Sequence, residues 1–277
     1  MKLAVCIVSP PGYVHSEAFR EVAQTLESAA RSLGHDAIVT DRADLPGRRA
    51  IVLGSNLLAR HPIPLPTDSV LYNLEQAGPG PWFEPAALEI LRRFRVWDYS
   101  EHNAANLVAL GVPRPRVVPV GFVPELARIE SLPEEIDVLF YGSLNERRQA
   151  VLDELTAAGA RVESVFGVYG KERDRLIARS RMVLNVHFFE AKVFEIVRVS
   201  YLLANGRAVV CERGASPEEE APFEEGVAFA DHAHLARTCL DLLQSPAECA
   251  RLAGAGRQIM ESRPAASYLR PALAELA

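Results

Sequence analysis

The chain has 277 residues, 49% of them hydrophobic and 24% charged, with a formal net charge of −6. That length suits two domains of ordinary size, and the composition is that of a soluble globular protein. The acidic balance gives no support to a non-specific nucleic-acid binder. Cys6, Cys211, Cys239 and Cys249 show no CxxC spacing, which favours buried reduced thiols over a metal or disulfide framework. The apolar stretch after Met1-Lys2 ends at Val8, before Ser9-Pro10-Pro11-Gly12. It is too short for a secretory segment or a membrane span, so a cytoplasmic protein is expected.

In chain order, Leu3 to Val8 is a continuous apolar run, as for a parallel strand buried on both faces. Ser16 is expected to cap a helix with apolar positions Phe19, Val22, Leu26 and Leu33, closed by Gly34. Strands are then expected at Ala37–Thr40, Ala50–Leu53, Val70–Leu74, Val96–Tyr99 and Val117–Val120. Helices at roughly Glu84–Phe94 and Ala104–Leu110 separate the later ones. Between about Val123 and Glu135 the pattern lapses into sequence containing Pro and Glu. It restarts with strand Val138–Tyr141, helix Glu146–Ala158, strand Arg161–Val165, helix Glu172–Arg179 and strand Met182–Val186. A helix containing Glu195, strands Ala208–Cys211 and Val227–Ala230, and two closing helices follow. The last long helix opens at Ser245-Pro246-Ala-Glu248, a capping box with proline in the first turn. Strands interleaved with helices predict an α/β fold of two doubly wound parallel sheets. The expected domains are residues 1–124 and 136–277, with a tail, 265–277, long enough to cross back onto the first half.

The densest chemistry lies between strand-like runs Met182–Val186 and Ala208–Cys211, where Asn185, His187, Glu190, Lys192, Glu195 and Arg198 follow a strand. Ligands bind beyond the carboxyl ends of strands in open parallel sheets. Glu195 and Arg198, three apart, share a helix face. A carboxylate there can accept from ribose hydroxyls and the cations can hold phosphate; a solvated helix start explains the same residues. Tyr141-Gly-Ser-Leu-Asn-Glu-Arg-Arg148 also follows a strand. Gly142 and Ser143 permit a tight turn, Asn145 precedes the helix, and Arg147 and Arg148 can reach a diphosphate. A plain strand-to-helix turn with two surface arginines is the other reading. No GxGxxG and no Walker lysine are present, against dinucleotide and P-loop sites. In Phe166-Gly-Val-Tyr-Gly170, a base can stack on Tyr169, or the segment is a simple glycine turn.

In the first half, His15 lies in the loop leaving the first strand, as a candidate general base or a histidine hydrogen-bonded at a helix start. Tyr72-Asn-Leu-Glu-Gln76 ends another strand and is expected to expose Asn73, Glu75 and Gln76. Trp97-Asp-Tyr-Ser-Glu-His102 does the same with Asp98 and Ser100. Glu218-Glu-Glu220 reads as a solvated turn.

With these motifs in view, the chain resembles the GT-B class of nucleotide-sugar glycosyltransferases. More narrowly, it resembles a bacterial glycosyltransferase family 1-like group. Tyr72-Asn-Leu-Glu-Gln76, Trp97-Asp-Tyr-Ser100, Phe140-Tyr-Gly-Ser143 and Leu184-Asn-Val-His187 with the following Glu-Ile-Val-Arg198 carry the resemblance across nearly the whole chain. It implies two Rossmann-like domains facing a cleft, with residues 136–277 holding a nucleotide-sugar donor and residues 1–124 a hydroxyl acceptor. The implied donor-binding residues are Gly142, Ser143, Asn145, Arg147, Arg148, Tyr169, His187, Glu190, Lys192, Glu195 and Arg198. Tyr72, Asn73, Gln76, Asp98 and Ser100 stand on the acceptor side, with His15 and Glu75 as the catalytic candidates. Hexosyl transfer without a metal is implied, in keeping with the lack of an Asp-x-Asp motif, and no cofactor beyond the nucleoside-diphosphate sugar co-substrate is expected.

One departure matters. Many retaining members carry two glutamates seven residues apart, the second five positions before the glycine of a Gly-x-Pro-Val-Val turn. Gly206-Arg-Ala-Val-Val210 fits that turn, but Tyr201 stands five before Gly206, and Glu190 and Glu195 lie further towards the N-terminus. Retaining and inverting chemistry both stay open. A non-catalytic nucleotide or nucleotide-sugar binding protein, or a nucleotide-sugar epimerase, on the same scaffold is the alternative.

Overall fold

A computed structural model describes residues 1–80 and 82–276; Ala277, the last residue of the expected tail, lies outside the described residues. The chain divides into two compact units, Met1–Glu125 with Arg263–Ala277, and Leu126–Ser262. Residues 126–135 therefore go with the second unit. Asn205 draws them in, its Oδ1 accepting from the N–H groups of Arg128 and Ile129, both at 2.8 Å.

The first unit contains β1 (Lys2–Ile7), α1 (Arg20–Ser32), β2 (Asp36–Thr40), β3 (Arg49–Leu53) and β4 (Val70–Asn73). It continues with α2 (Pro85–Arg93), β5 (Arg95–Asp98), α3 (Glu101–Ala109) and β6 (Arg116–Val117). The six-stranded sheet has the order β2-β1-β3-β4-β5-β6, with every pair parallel. Apolar runs such as Leu3–Ile7 and Ala50–Leu53 are buried along their length, as strands covered on both faces require. Three expectations shift here. Ser16 does not cap α1; it lies in a 3-10 turn, Val14–Phe19, and its Oγ donates to the Val8 carbonyl at 2.7 Å. α3 starts earlier than expected because Ser100 caps it, accepting from the Asn103 N–H at 2.9 Å. β6 stops at Val117 instead of running to Val120, since Pro119 has no N–H for the ladder.

The second unit contains β7 (Ile136–Tyr141), α4 (Glu146–Ala157), β8 (Val162–Val165), α5 (Gly170–Ala178) and β9 (Ser180–Asn185). Next come α6 (Ile196–Ala204), β10 (Ala208–Glu212), the short α7 (Pro217–Glu220), β11 (Ala228–Ala230), α8 (Leu235–Leu243) and α9 (Pro246–Glu261). Its five-stranded sheet runs β11-β10-β9-β7-β8, again all parallel. The core holds Val138, Phe140, Leu155, Leu184, Val210 and Cys239. Ser245 heads α9 without the expected capping box, its side chain making no cap bond, while its carbonyl accepts from the Glu248 N–H at 3.0 Å.

After α9 the chain returns to the first unit as α10 (Ala265–Ala274), which packs on α1. The return depends on Gly121. Phe122 and Pro264 form a parallel bridge, and a Cβ on Gly121 would stand 2.5 Å from the Ala265 Cα. Arg95 Nη1 then holds the Glu275 carbonyl at 2.9 Å.

Candidate functional site

Each sheet order reverses between the unit's first and third strands, the point where doubly wound sheets bind ligands beyond their carboxyl ends. In the second unit those strands are β7 and β9. Gly142–Asn145 leaves one, and residues 186–195 leave the other.

Asn145 caps α4, its Oδ1 accepting from the Arg148 N–H at 2.9 Å. Arg148 points inward and is buried; its Nη1 donates to the Ser143 carbonyl at 2.8 Å and its Nη2 to the Val186 carbonyl. Its guanidinium lies 5.3 Å from the Phe140 ring and 5.1 Å from the Phe188 ring. Burial lowers its pKa to about 10. Both arginines are expected to reach a diphosphate, or else to lie on the surface; Arg148 is instead buried and Arg147, partly exposed, is held by a carboxylate. Arg148 braces the two loops together, and both guanidinium ends of Arg147 bind Glu212.

Glu195 stands at the N-cap of α6, one residue outside the helix expected to contain it. Its carboxylate lies 2.9 Å from Arg198 Nη1, 3.5 Å from Arg148 Nη2 and 3.6 Å from His187 Nδ1. Burial works to raise this carboxyl, but Arg198, His187 and Arg148 outweigh it and hold it at about 2. Asn185 Oδ1 accepts from Arg198 Nη1 at 2.8 Å, and the guanidinium lies 5.2 Å from the Tyr141 ring. Where a Cβ would stand on Gly142, Arg148 Nη1 and Arg198 Nη2 are each 3.4 Å away. Two guanidinium groups thus converge on a glycine with a charged carboxylate beside them.

Glu212, which the sequence reading passed over, is the second centre. Its side chain is buried, binds Arg147, accepts from the His187 N–H at 3.0 Å and lies 3.2 Å from Lys192 Nζ. Burial works to raise its carboxyl, and these bonds lower it. A lone acid ending the apolar run Ala-Val-Val-Cys-Glu212 was the available signal. Lys192 has φ +44, the one non-glycine residue with positive φ among the described residues. A Cβ on Gly214 would stand 2.5 Å from the Lys192 carbonyl oxygen, so the strained turn sits directly on that glycine. His187 is buried with no hydrogen-bond partner for either ring nitrogen among the described residues. Glu190 is exposed and takes no part in this network, while Tyr169 stands half-buried at the N-cap of α5.

In the first unit the expected acceptor-side residues are mostly internal. Asn73, Asp98 and Ser100 are buried instead of exposed, and Tyr72, expected on the acceptor side, is buried too. The Tyr72 hydroxyl donates to the Val118 carbonyl at 2.5 Å. Asp98 accepts from Asn73 Nδ2 at 2.8 Å, Asn103 Nδ2 at 2.9 Å and the Ser100 N–H at 3.0 Å. Burial still pushes its carboxyl up to about 7. This network fixes strand ends, because the Glu75 carbonyl accepts from Asn73 Nδ2 at 2.8 Å and Asn103 Nδ2 at 2.9 Å. Glu75 and Gln76 are half-buried. His15 meets Tyr13 edge to face, with centroids 5.2 Å apart. Among the described residues no group of three or more His, Cys, Asp or Glu could hold a metal ion, and no helix is long and apolar enough to cross a membrane.

The "Glycosyl transferase-like" family model matches residues 122–268, more than half of the chain. The chain belongs to that family. An uncharacterized protein of Acanthamoeba polyphaga mimivirus is 28% identical over 128 residues, 43% of this chain and 40% of the relative. The chain thus spans less than half the length of that curated relative. Among solved structures, HepE of Anabaena in complex with UDP-glucose aligns with a TM-score of 0.63 at 13% identity, covering 99% of this chain and 98% of that one. AviGT4, a glycosyltransferase involved in avilamycin A biosynthesis, aligns with a TM-score of 0.58 at 16% identity, covering 100% and 97%. The chain therefore shares the GT-B fold of these structures, with two parallel-sheet α/β domains.

Proposed function

We propose that the chain moves a sugar from a nucleoside-diphosphate sugar to a hydroxyl acceptor, with the donor held at the β7/β9 switch point. The observation that supports this most is the Glu195 carboxylate, held charged beside Gly142, on which Arg148 and Arg198 converge. Glu195 accepts from ribose hydroxyls in this reading, while Arg198 Nη2 and Lys192 Nζ meet the diphosphate. Such fixed cations stabilise the charge that develops on the leaving diphosphate, and they do so without a divalent metal. Arg148, Arg147 and Glu212 act indirectly, by holding the loops in place.

The first unit takes the acceptor. In an inverting transfer Glu75 or His15 removes its proton. HepE was solved with UDP-glucose, so UDP is the first nucleotide to try.

A thermal-shift panel of UDP, GDP, ADP and TDP tests the donor assignment. A ligand that binds the native state at a hundred times its Kd adds about 2.7 kcal/mol of stability. One nucleotide should raise the melting temperature selectively; no shift with any of the four at millimolar concentration contradicts the assignment.

A further inference from the structure

The loop after β9 begins at His187, whose main chain is tied down on both sides. Its N–H donates to Glu212 at 3.0 Å, and its carbonyl accepts from Arg147 Nη1 at 3.3 Å. The ring is buried, yet neither nitrogen has a hydrogen-bond partner among the described residues. A folded protein seldom leaves such atoms unmade without a use. Nε2 looks towards Gly214, 3.6 Å from where a Cβ would stand, but the Gly214 N–H is given to Glu220. Nδ1 faces Glu195 Oε1 at 3.6 Å, just beyond bonding distance.

The two oxygens of Glu195 are held unequally. Oε2 lies 2.9 Å from Arg198 Nη1. Oε1 has only longer approaches, from His187 Nδ1 and from Arg148 Nη2 at 3.5 Å. That arginine nitrogen already donates to the Val186 carbonyl, so of the two groups only the imidazole makes no hydrogen bond. A carboxylate can only accept, and a neutral imidazole has one N–H and one bare nitrogen. The pair therefore attracts only when Nδ1 carries the proton; in this buried site a bare Nδ1 would repel the carboxylate. Hydrogen bonds at such sites are often long before a substrate binds and tighten in its complex.

We infer that His187 is the positioning residue for Glu195, its Nδ1–H donating to Oε1 and turning the carboxylate towards the donor ribose. His187 acts through Glu195 and does not touch the ligand. The inference rests on the donor reading above.

Two measurements test it. The first is ¹⁵N NMR of the full chain, without ligand, labelled at its seven histidines. The His187 signal is the one lost in His187→Asn or His187→Gln, and a backbone assignment identifies it should both variants fail to fold. At neutral pH Nδ1 should carry a proton; a bare Nδ1 overturns the inference. The second is UDP affinity by calorimetry. An asparagine amide at position 187 reaches where Nδ1 stands, and a glutamine amide reaches where Nε2 stands. His187→Asn should therefore bind within about threefold of wild type. His187→Gln should bind about tenfold or more weakly, the loss of one hydrogen bond to a charged group. Equal binding by the two variants, or the reverse order, overturns the positioning role. Failure of UDP to bind the wild type counts against the donor reading, while the NMR measurement still decides the His187–Glu195 pair, so the two failures are distinguishable.

Discussion

Replacing Glu195 by glutamine removes the central carboxylate of the second unit while keeping its shape. In the folded chain burial opposes its ionisation, yet Arg198, His187 and Arg148 bring it from 4.5 down to about 2. A fall of that size corresponds to roughly 3 kcal/mol of folding stability at neutral pH. The Glu195 side chain is 13% exposed, so solvent screening removes little of it. Because the folded value lies below the unfolded one, this stability is fully present above about pH 5 and lost as the pH falls towards 2. Urea unfolding of wild type and Glu195→Gln at pH 7 should show the variant weaker by roughly 3 kcal/mol, and near pH 3 the gap should narrow by about 2 kcal/mol. A gap that stays constant between the two pH values refutes the argument that fixed cations hold this carboxylate charged.

Gly214→Ala puts a Cβ 2.5 Å from the Lys192 carbonyl oxygen, so it should cost about 1–3 kcal/mol and weaken nucleotide binding. Gly254→Ala, where nothing stands within 4 Å, should cost nothing in thermal unfolding; equal effects of the two contradict the packing argument. Activity should survive EDTA, and its loss with recovery on adding Mg²⁺ or Mn²⁺ would show that cationic side chains do not replace a metal. In an inverting transfer Glu75→Gln should lower the maximal rate by about 10²–10⁴ and His15→Ala by about tenfold or less. The reverse order in steady-state rates would make His15 the base.

The alternation of strands and helices was legible because buried parallel strands must be apolar along their whole length, as in Leu3–Ile7 and Ala208–Cys211. Strand ends were legible too, since polar residues break such runs. What those side chains do was harder to read. Asn73, Asp98 and Ser100 look like exposed contacts in sequence, but tertiary packing turns them inward to hold Glu75. Arg148 looks like a surface cation, yet its cap and two rings draw it inside. Glu212 matters through a partner 65 residues away, and no local period reports such a pairing.

The most direct measurement is release of nucleoside diphosphate from a panel of nucleoside-diphosphate sugars, including UDP-glucose, by wild type and Glu195→Gln. The account predicts release from at least one donor by the wild type, slowed at least about tenfold in the variant, the equivalent of one charged hydrogen bond. No release from any donor, or equal release by both proteins, would contradict it.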